Sequence, residues 1–415
     1  MRALTRGGVA LLSQRSTLAS LLVLLLSWGG IEEAGAQEAG TEALGTPVGA
    51  FVIYPSLTVT TEYNDNTFAT DTDKEGDLIF TVTPEISVQS DWDVHALEFL
   101  ASATSKQHLD HTDENTLDYR FLSFGRVDIL EDTFATLSAG ISRHHEERGS
   151  PDDVFGEEPT EFTTIGGAAG FSHRFNRVWT ELNASVTYLT YDDVTAAGGG
   201  SFNNSDRDRL EYASSARVGY DFNPDIGAFV EGSFKLADYS ESVDDNTFNR
   251  NSYDYGLAAG MRFDITELLF GDVFVGVTRS EFDDPRFASQ TTFDLGADLT
   301  WDVTPLTSVN LSASRTWEET TVAGASSALT TNAGLSVNHA LLDTVSLTAF
   351  LDYTRESFEE INRADDTISL GPGVTYLMNR FVHLNLNYAY TQRISDVSTE
   401  DYAEHSVILS VRLQY

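Results

Sequence analysis

The chain has 415 residues, of which 64 are Asp or Glu and 25 are Lys or Arg, so its formal net charge at pH 7 is -39. So negative a chain is excluded from binding nucleic acid by neutralising phosphates. The absence of cysteine excludes disulfides, thiolate metal sites and a cysteine nucleophile. The mean hydropathy is -0.20, which suits a barrel with a polar inner face better than a bundle of transmembrane helices.

The N-terminus is typical of a secretory signal peptide. Arg2, Arg6 and Arg15 form a basic region, residues 18–28 form a short apolar region, and residues 34–36 supply a small-x-small cleavage site. A membrane anchor is the weaker alternative, because a spanning helix needs about 20 apolar residues. We predict a signal peptide over 1–36, a flexible periplasmic lead-in over 37–50 and an outer-membrane β-barrel over 51–415.

The rest of the chain alternates between segments with an apolar residue at every second position and breaks without that pattern. The breaks are in turn long and acidic, then short and rich in turn residues. Period-2 alternation indicates β-strands. We predict strands over 51–62, 77–90, 94–107, 115–129, 133–145, 160–174, 178–192, 208–222, 226–239, 251–265, 269–282, 290–303, 306–318, 327–339, 344–358, 365–378, 381–394 and 402–415.

This pattern of strands and unequal breaks predicts an all-β fold. The predicted architecture is a transmembrane antiparallel up-and-down β-barrel of about 18 strands, with 16 and 20 as alternatives. Long loops belong outside the cell and short turns in the periplasm. A soluble sandwich or propeller would also alternate. It would not require the signal sequence, the unequal loops and an aromatic final strand together.

The C-terminal strand carries a second, independent pattern. Its alternate residues are apolar and its last residue is aromatic, which is what the outer-membrane barrel assembly machinery recognises. The residues of this assembly signal are Val407, Leu409, Val411, Leu413 and Tyr415.

Polar residues that alternate with the apolar set are predicted to face the lumen. Their excess of carboxylates would favour cations, although many could simply pair across strands. Trp179 and Phe229 are the inward aromatic residues that could stack against sugars. The lumen-lining candidates are Asp294, Asp298, Asp302, Asp254, Arg262, Arg217, Arg412, Asn385 and Asn387.

Four further segments are candidates for chemistry or for gating. Residues 143–148 contain two adjacent histidines, but neighbours on a strand face opposite sides and cannot both bind one ion. Residues 64–66 together with residues 71–73 offer oxygen ligands for Ca²⁺, yet they lack the spacing of an EF-hand and more simply form a turn. Loops 146–159 and 193–207 are the longest and could fold inward as a constriction. We predict no catalytic, metal-binding or cofactor-binding residue and no enzyme activity, with loosely bound Ca²⁺ or Mg²⁺ possible at the acidic loops.

Several segments resemble one known family. They are residues 55–68, with an Asn-Asp-Asn-aromatic stretch, residues 142–152, with His-Glu-Glu-Arg-Gly-Ser-Pro, and residues 158–162, 173–177 and 371–376. The chain is similar in these to the Putative beta-barrel porin 2 family, outer-membrane barrels often linked to exopolysaccharide operons. The resemblance implies a barrel in the outer membrane of a Gram-negative bacterium and assigns no substrate.

The favoured hypothesis is a passive, cation-favouring, porin-like channel or a conduit linked to surface polysaccharide. The alternative is a structural or adhesive barrel with acidic extracellular loops and no open pore. An outer-membrane hydrolase is a third and weaker hypothesis. Expected partners are outer-membrane lipids and lipopolysaccharide, the assembly machinery, and polysaccharide or small hydrophilic solutes, but no nucleic acid.

Overall fold

The computed structural model describes residues 42–196, 198–266 and 268–415. The predicted signal peptide and its cleavage site lie outside the described residues. Within them, eighteen long antiparallel strands form one sheet. Strands β1 to β18 are Phe51–Asn64, Asp77–Ser90, Ala96–His108, Thr116–Leu130, Thr133–His145, Glu161–Phe175, Val178–Tyr191, Arg209–Asn223, Ile226–Tyr239, Ser252–Ile265, Leu269–Phe282, Gln290–Thr304, Thr307–Glu318, Ala328–Leu342, Val345–Phe358, Arg363–Asn379, Val382–Ser395 and Tyr402–Gln414.

The sheet closes on itself, because β1 pairs with β18 from Ser56 opposite Gln414 to Asn64 opposite Ser406. A closed barrel leaves no strand edge without backbone partners, which is the condition for spanning lipid. The predicted fold class is confirmed, and each predicted strand ends within three residues of the observed one.

Strand connections differ between the two ends of the barrel. At one end they have four to seventeen residues, and at the other, where both termini of the barrel lie, two to five. In the described residues, the longer connections contain three short 3₁₀ helices and a small hairpin. These elements are Thr112–Glu114, Ser205–Arg207, Ser398–Glu400 and the strand pair Val194–Thr195 and Ser201–Phe202.

Side chains alternate between the two faces of the wall. In β12, Phe293 is 76% exposed on the outer face, whereas its neighbour Asp294 is 6% exposed on the inner face. Apolar side chains such as Val275 and Leu137 cover the outside in the same way. Period-2 patterning therefore places apolar groups toward lipid and polar groups inside.

The seam between β1 and β18 is clamped at the long-loop end by the first loop. Asn66 is fully buried, and its Nδ2 donates to the carbonyls of Thr70 (2.8 Å) and Ala403 (3.1 Å). Asp65 accepts a hydrogen bond from the backbone N–H of His405 at 2.7 Å. The Asn-Asp-Asn stretch thus ties the first loop to the last strand, as the predicted turn would.

The other end of the seam is covered by part of the predicted lead-in. Thr46–Val48 forms a short antiparallel strand beside Phe51–Ile53. The backbone N–H of Tyr415 donates to the carbonyl of Pro55 at 3.2 Å. The first residues of β1, which extend beyond the end of β18, therefore still have a backbone partner.

No helix within residues 42–196, 198–266 and 268–415 has both the length and the apolar character needed to cross a membrane.

Replacing Asn66 with Ala tests the clamp. The change leaves two carbonyls and the Thr70 N–H without their partner, so the free energy of unfolding in detergent should fall by about 3 kcal/mol. Guanidinium unfolding measures it. Thr72→Ala, in the exposed part of the same loop, should leave the stability unchanged. Equal stability of the Asn66→Ala and wild-type proteins would show that the clamp does not hold the seam.

Candidate functional site in the lumen and its mouth

One sector of the inner wall, formed by β7 to β12, is densely packed with paired charges. Arg217 bonds Glu231 at 2.5 Å and Asp272 at 3.3 Å. Arg262 contacts the same Asp272 at 3.0 Å and reaches Glu181 at 3.7 Å. Two of the predicted lumen candidates, Arg217 and Arg262, therefore lie in one shared network of ion pairs.

Beneath these arginines runs a row of alternating aromatic and glycine residues across six neighbouring strands. Gly219 lies between Trp179 and Phe229 on adjacent strands, and Gly260 lies between Phe229 and Phe274. A Cβ on Gly219 would come within 2.1 Å of the Trp179 ring, and one on Gly260 within 2.3 Å of the Phe229 ring. Each ring lies flat in the space that the next glycine leaves.

The other faces of two rings in this row are covered by arginine. The Arg262 guanidinium lies 4.4 Å from the Trp179 ring centre, and Arg217 lies 4.2 Å from that of Phe229. Both rings are almost completely buried. Glycine on one side and arginine on the other leave neither Trp179 nor Phe229 a free face for a sugar ring.

The four acidic candidates lie in the same sector of the inner wall. Asp294 accepts a hydrogen bond from the Thr278 hydroxyl. Asp298 lies opposite Asp272 on the adjoining strand, and Asp254 lies opposite Lys235. Asp302 lies near the short turn that follows β12, opposite Ser308.

A second sector, from β13 to β18, presents mainly uncharged polar groups. Asn310 accepts from Thr300 at 2.9 Å, and Asn385 accepts from Thr375 at 2.8 Å. Ser312 and Asp352 are exposed although they point inward. Their exposure inside a closed wall indicates space for water along this sector.

Asn387 and Arg412, the last two candidates, belong to this second sector. Asn387 lies opposite Gly373, where its Oδ1 would be 2.2 Å from an added Cβ. Arg412 lies opposite His383, close to the seam. The apolar residues of the assembly signal lie on the outer face of the same strand, with Val407, Leu409, Leu413 and Tyr415 exposed and Val411 half-buried.

The loop 146–160 crosses the mouth at the long-loop end; we call it the transverse loop. It leaves the wall between β5 and β6, yet the Asp152 carboxylate accepts hydrogen bonds from the N–H of Thr321 (2.8 Å) and the hydroxyl of Thr320 (2.9 Å). Those two residues follow β13. Eight strands separate the two loops one way around the ring and ten the other, so the contact spans the mouth.

Buried arginines hold the transverse loop at its root, which is the end of the loop that leaves β5. Arg148 donates to Glu114 at 2.6 and 2.9 Å, and Arg207 forms a bidentate pair with Glu146. On the far side, the Arg393 guanidinium donates to the carbonyl of Gly149 at 2.7 Å. Burial raises the pKa of the Glu146 carboxyl, and Arg207 opposes that shift. The pair thus offsets part of the cost of burying the acid.

The loop 319–327 is drawn inward to meet the transverse loop. Buried Arg250 donates to the carbonyls of Ala325 (2.6 Å) and Thr320 (3.0 Å). Glu319 accepts from the hydroxyls of Ser252 (3.1 Å) and Tyr239 (3.2 Å) on two other strands. The partner of Asp152 is therefore itself fixed.

The two histidines of the 143–148 segment support this root rather than forming a shared site. His145 lies 3.0 Å from Asp118, whereas His144 packs against the ring of Phe162. In the described part of the chain, no group of three or more His, Asp or Glu side chains is placed to hold a metal ion. The sequence singled out this segment without indicating its role as the anchor of a crossing loop.

The other of the two longest loops, 193–207, contacts the transverse loop through its hairpin. The backbone N–H of Glu157 donates to the carbonyl of Thr195 at 2.8 Å. Val194 in the same hairpin is buried.

The aromatic–glycine row can be tested with Gly219→Ala. The new methyl group collides with Trp179, so the free energy of unfolding should fall by about 2 kcal/mol. Gly232→Ala is the matched control, because a Cβ there meets nothing within 4 Å. Thermal unfolding in detergent, followed by tryptophan fluorescence, measures both variants. Equal melting temperatures for the two would show that Trp179 does not pack against Gly219.

Several solved structures have chain traces similar to that of this chain, one of which is described as an outer membrane protein, opdK. The protein opdK from Pseudomonas aeruginosa has a TM-score of 0.48 at 10% identity, and OpdL from the same organism has 0.45 at 12%; each alignment covers 88% of this chain and 99% of the other. The siderophore receptor PirA from Acinetobacter baumannii has 0.46 at 7%, covering 88% and 80%. Identities this low carry no information about substrate.

No curated protein matches the chain. A family match, in contrast, extends over almost all of the barrel and its lead-in. Residues 38–415 match the family described as Putative beta-barrel porin 2. The match agrees with the closed eighteen-stranded wall and its polar interior. The chain belongs to the Putative beta-barrel porin 2 family and is a porin-like outer-membrane β-barrel.

Proposed function

We propose that this protein is a passive channel for small hydrophilic solutes across the outer membrane, and not an enzyme. The observation that carries the proposal is the exposure of inward-pointing polar side chains, such as Ser312 and Asp352, within a closed wall. Barrels of 16 to 18 strands leave an aqueous lumen. The buried faces of Trp179 and Phe229 favour small solutes over a sugar chain as the cargo.

The long-loop end supports a preference for cations. Its connections contain 28 Asp and Glu against five Lys and Arg. Three of the five cations, Arg148, Arg207 and Arg250, are buried in ion pairs. Because uncompensated carboxylates remain at the surface, the local field concentrates cations at the mouth.

The transverse loop supports a gate. Asp152 connects it to the opposite loop through hydrogen bonds alone, whereas its root is held by buried ion pairs. A contact of this kind can release without unfolding the root. The same crossing also favours the second candidate, a structural or adhesive barrel whose lumen is closed.

The location and partners complete the proposal. The signal peptide is removed after Ala36, the final strand is recognised by the assembly machinery, and Ca²⁺ or Mg²⁺ bridges the acidic loops to lipopolysaccharide phosphates. These features rest on the sequence patterns and on the charge of the loops.

Selectivity can be measured in planar bilayers. Under a tenfold KCl gradient, the reversal potential should lie toward the K⁺ equilibrium potential, because acidic groups dominate the mouth. The preference should weaken as ionic strength rises, since salt screens exposed charges. A reversal potential directed toward Cl⁻ would contradict the cation preference.

Replacing Asp152 with Ala tests the gate. The variant loses the hydrogen bonds to Thr320 and Thr321, so its single-channel conductance or open probability should exceed that of the wild type at least twofold. Glu158→Ala is the matched control, because it removes one exposed carboxylate of the same loop. Its conductance should stay within about a fifth of the wild-type value.

Two outcomes would decide against these ideas. Equal conductance for Asp152→Ala and Glu158→Ala would show that the Asp152 contact is no gate. Persistent electrical silence from folded wild type and from Asp152→Ala would favour the structural barrel over the channel.

A further inference from the structure

Most arginines on the inner face of the wall form an ion pair with at least one carboxylate. Arg126 contacts Asp128 at 2.7 Å, and Arg209 contacts Glu211 at 2.7 Å. Arg217 has two acidic partners, as described above. This matching leaves little free positive charge along most of the inner wall.

The seam is an exception. Glu85 on β2 contacts Arg120 on β4 at 3.2 Å and Arg412 on β18 at 3.7 Å. Across the described residues, Glu85 is the one carboxylate within 4.0 Å of either guanidinium. Two positive groups thus share one negative group, and the three side chains, on β18, β2 and β4, lie on both sides of the seam.

Both guanidiniums are accessible from the lumen. The side chain of Arg412 is 43% exposed and that of Arg120 is 32% exposed, against 5% for Arg217. Arg120 also donates to the Ser102 hydroxyl at 3.0 Å, and Arg412 to the Gln414 amide oxygen at 3.3 Å. These neutral contacts orient the arginines without adding negative charge.

We propose that Arg120 and Arg412 form an oxyanion-binding site on the inner wall, with Glu85 holding the pair together when no ligand is bound. The ligand is a small hydrophilic solute that bears a carboxylate or sulfate group, which planar guanidinium groups bind in bidentate fashion. Asn385, on the neighbouring strand, lies opposite Ser410, one inward position from Arg412. Its amide can donate to the same solute.

This inference rests on the proposed channel, because the ligand reaches the seam through the lumen. It adds a second level of selectivity. The acidic mouth slows the arrival of anions, while the seam site retains an anionic group that has passed the mouth. The two effects act at different depths and can be measured separately.

The test uses the full mature chain folded in detergent, with sulfate and glucuronate as separate probes against chloride at constant ionic strength. Ligand-dependent thermal stabilisation gives the dissociation constant of each. Arg412→Gln and Arg120→Gln should each weaken binding at least tenfold. Glu85→Gln should strengthen it about threefold or more, because a competing carboxylate is removed. Preference for one probe identifies the group that the site accepts.

Arg126→Gln is the control, since its guanidinium is already matched by Asp128. The Arg126→Gln variant should bind each probe as tightly as the wild type does. Weaker or unchanged binding by Glu85→Gln would overturn the proposal, and so would the absence of stabilisation by either probe. Probe binding in detergent with a silent bilayer would reject the channel and keep the site, whereas conductance without probe binding would reject the site and keep the channel.

Discussion

Every part of this structure depends on the need to pair the backbone of a strand that lies in lipid. An open sheet would leave a row of N–H and C=O groups without partners in the membrane. Closure of β1 on β18 removes both edges, and closure in turn creates an enclosed inner face. The first loop, through Asn66, and the short strand Thr46–Val48 protect the two ends of this junction.

The inner face divides into two sectors with different tasks. Between β7 and β12, ion pairs and aromatic rings seated over glycines fill the wall and stiffen it. Between β13 and β18, hydroxyl and amide groups leave exposed polar surface. The seam lies between this open sector and the first strands, and there Arg120 and Arg412 both contact Glu85. In the channel that we propose, solutes pass along the open sector and not along the packed one.

The sequence predicted the wall well because strand identity is a local property. Alternation with period 2 and turn residues between strands are visible in any ten-residue window. Loop positions are not local: Asp152 meets residues about 170 positions away. The role of residues 143–148 as the anchor of a crossing loop depends on buried pairs such as Arg148 with Glu114, which no spacing rule reveals. For the same reason, alternation alone does not reveal the arginines that cover Trp179 and Phe229 and leave these rings no free face for a sugar.

The most direct test of a water-filled path is the accessibility of single cysteines, since the natural chain has none. Asp352→Cys lies on the inner face, and Leu351→Cys, the adjacent residue, lies on the outer face. In lipid vesicles, a charged, membrane-impermeant thiol reagent should label Asp352→Cys rapidly and leave Leu351→Cys unlabelled. Labelling of Leu351→Cys with Asp352→Cys protected would contradict the assignment of faces, and protection of both would contradict an aqueous lumen.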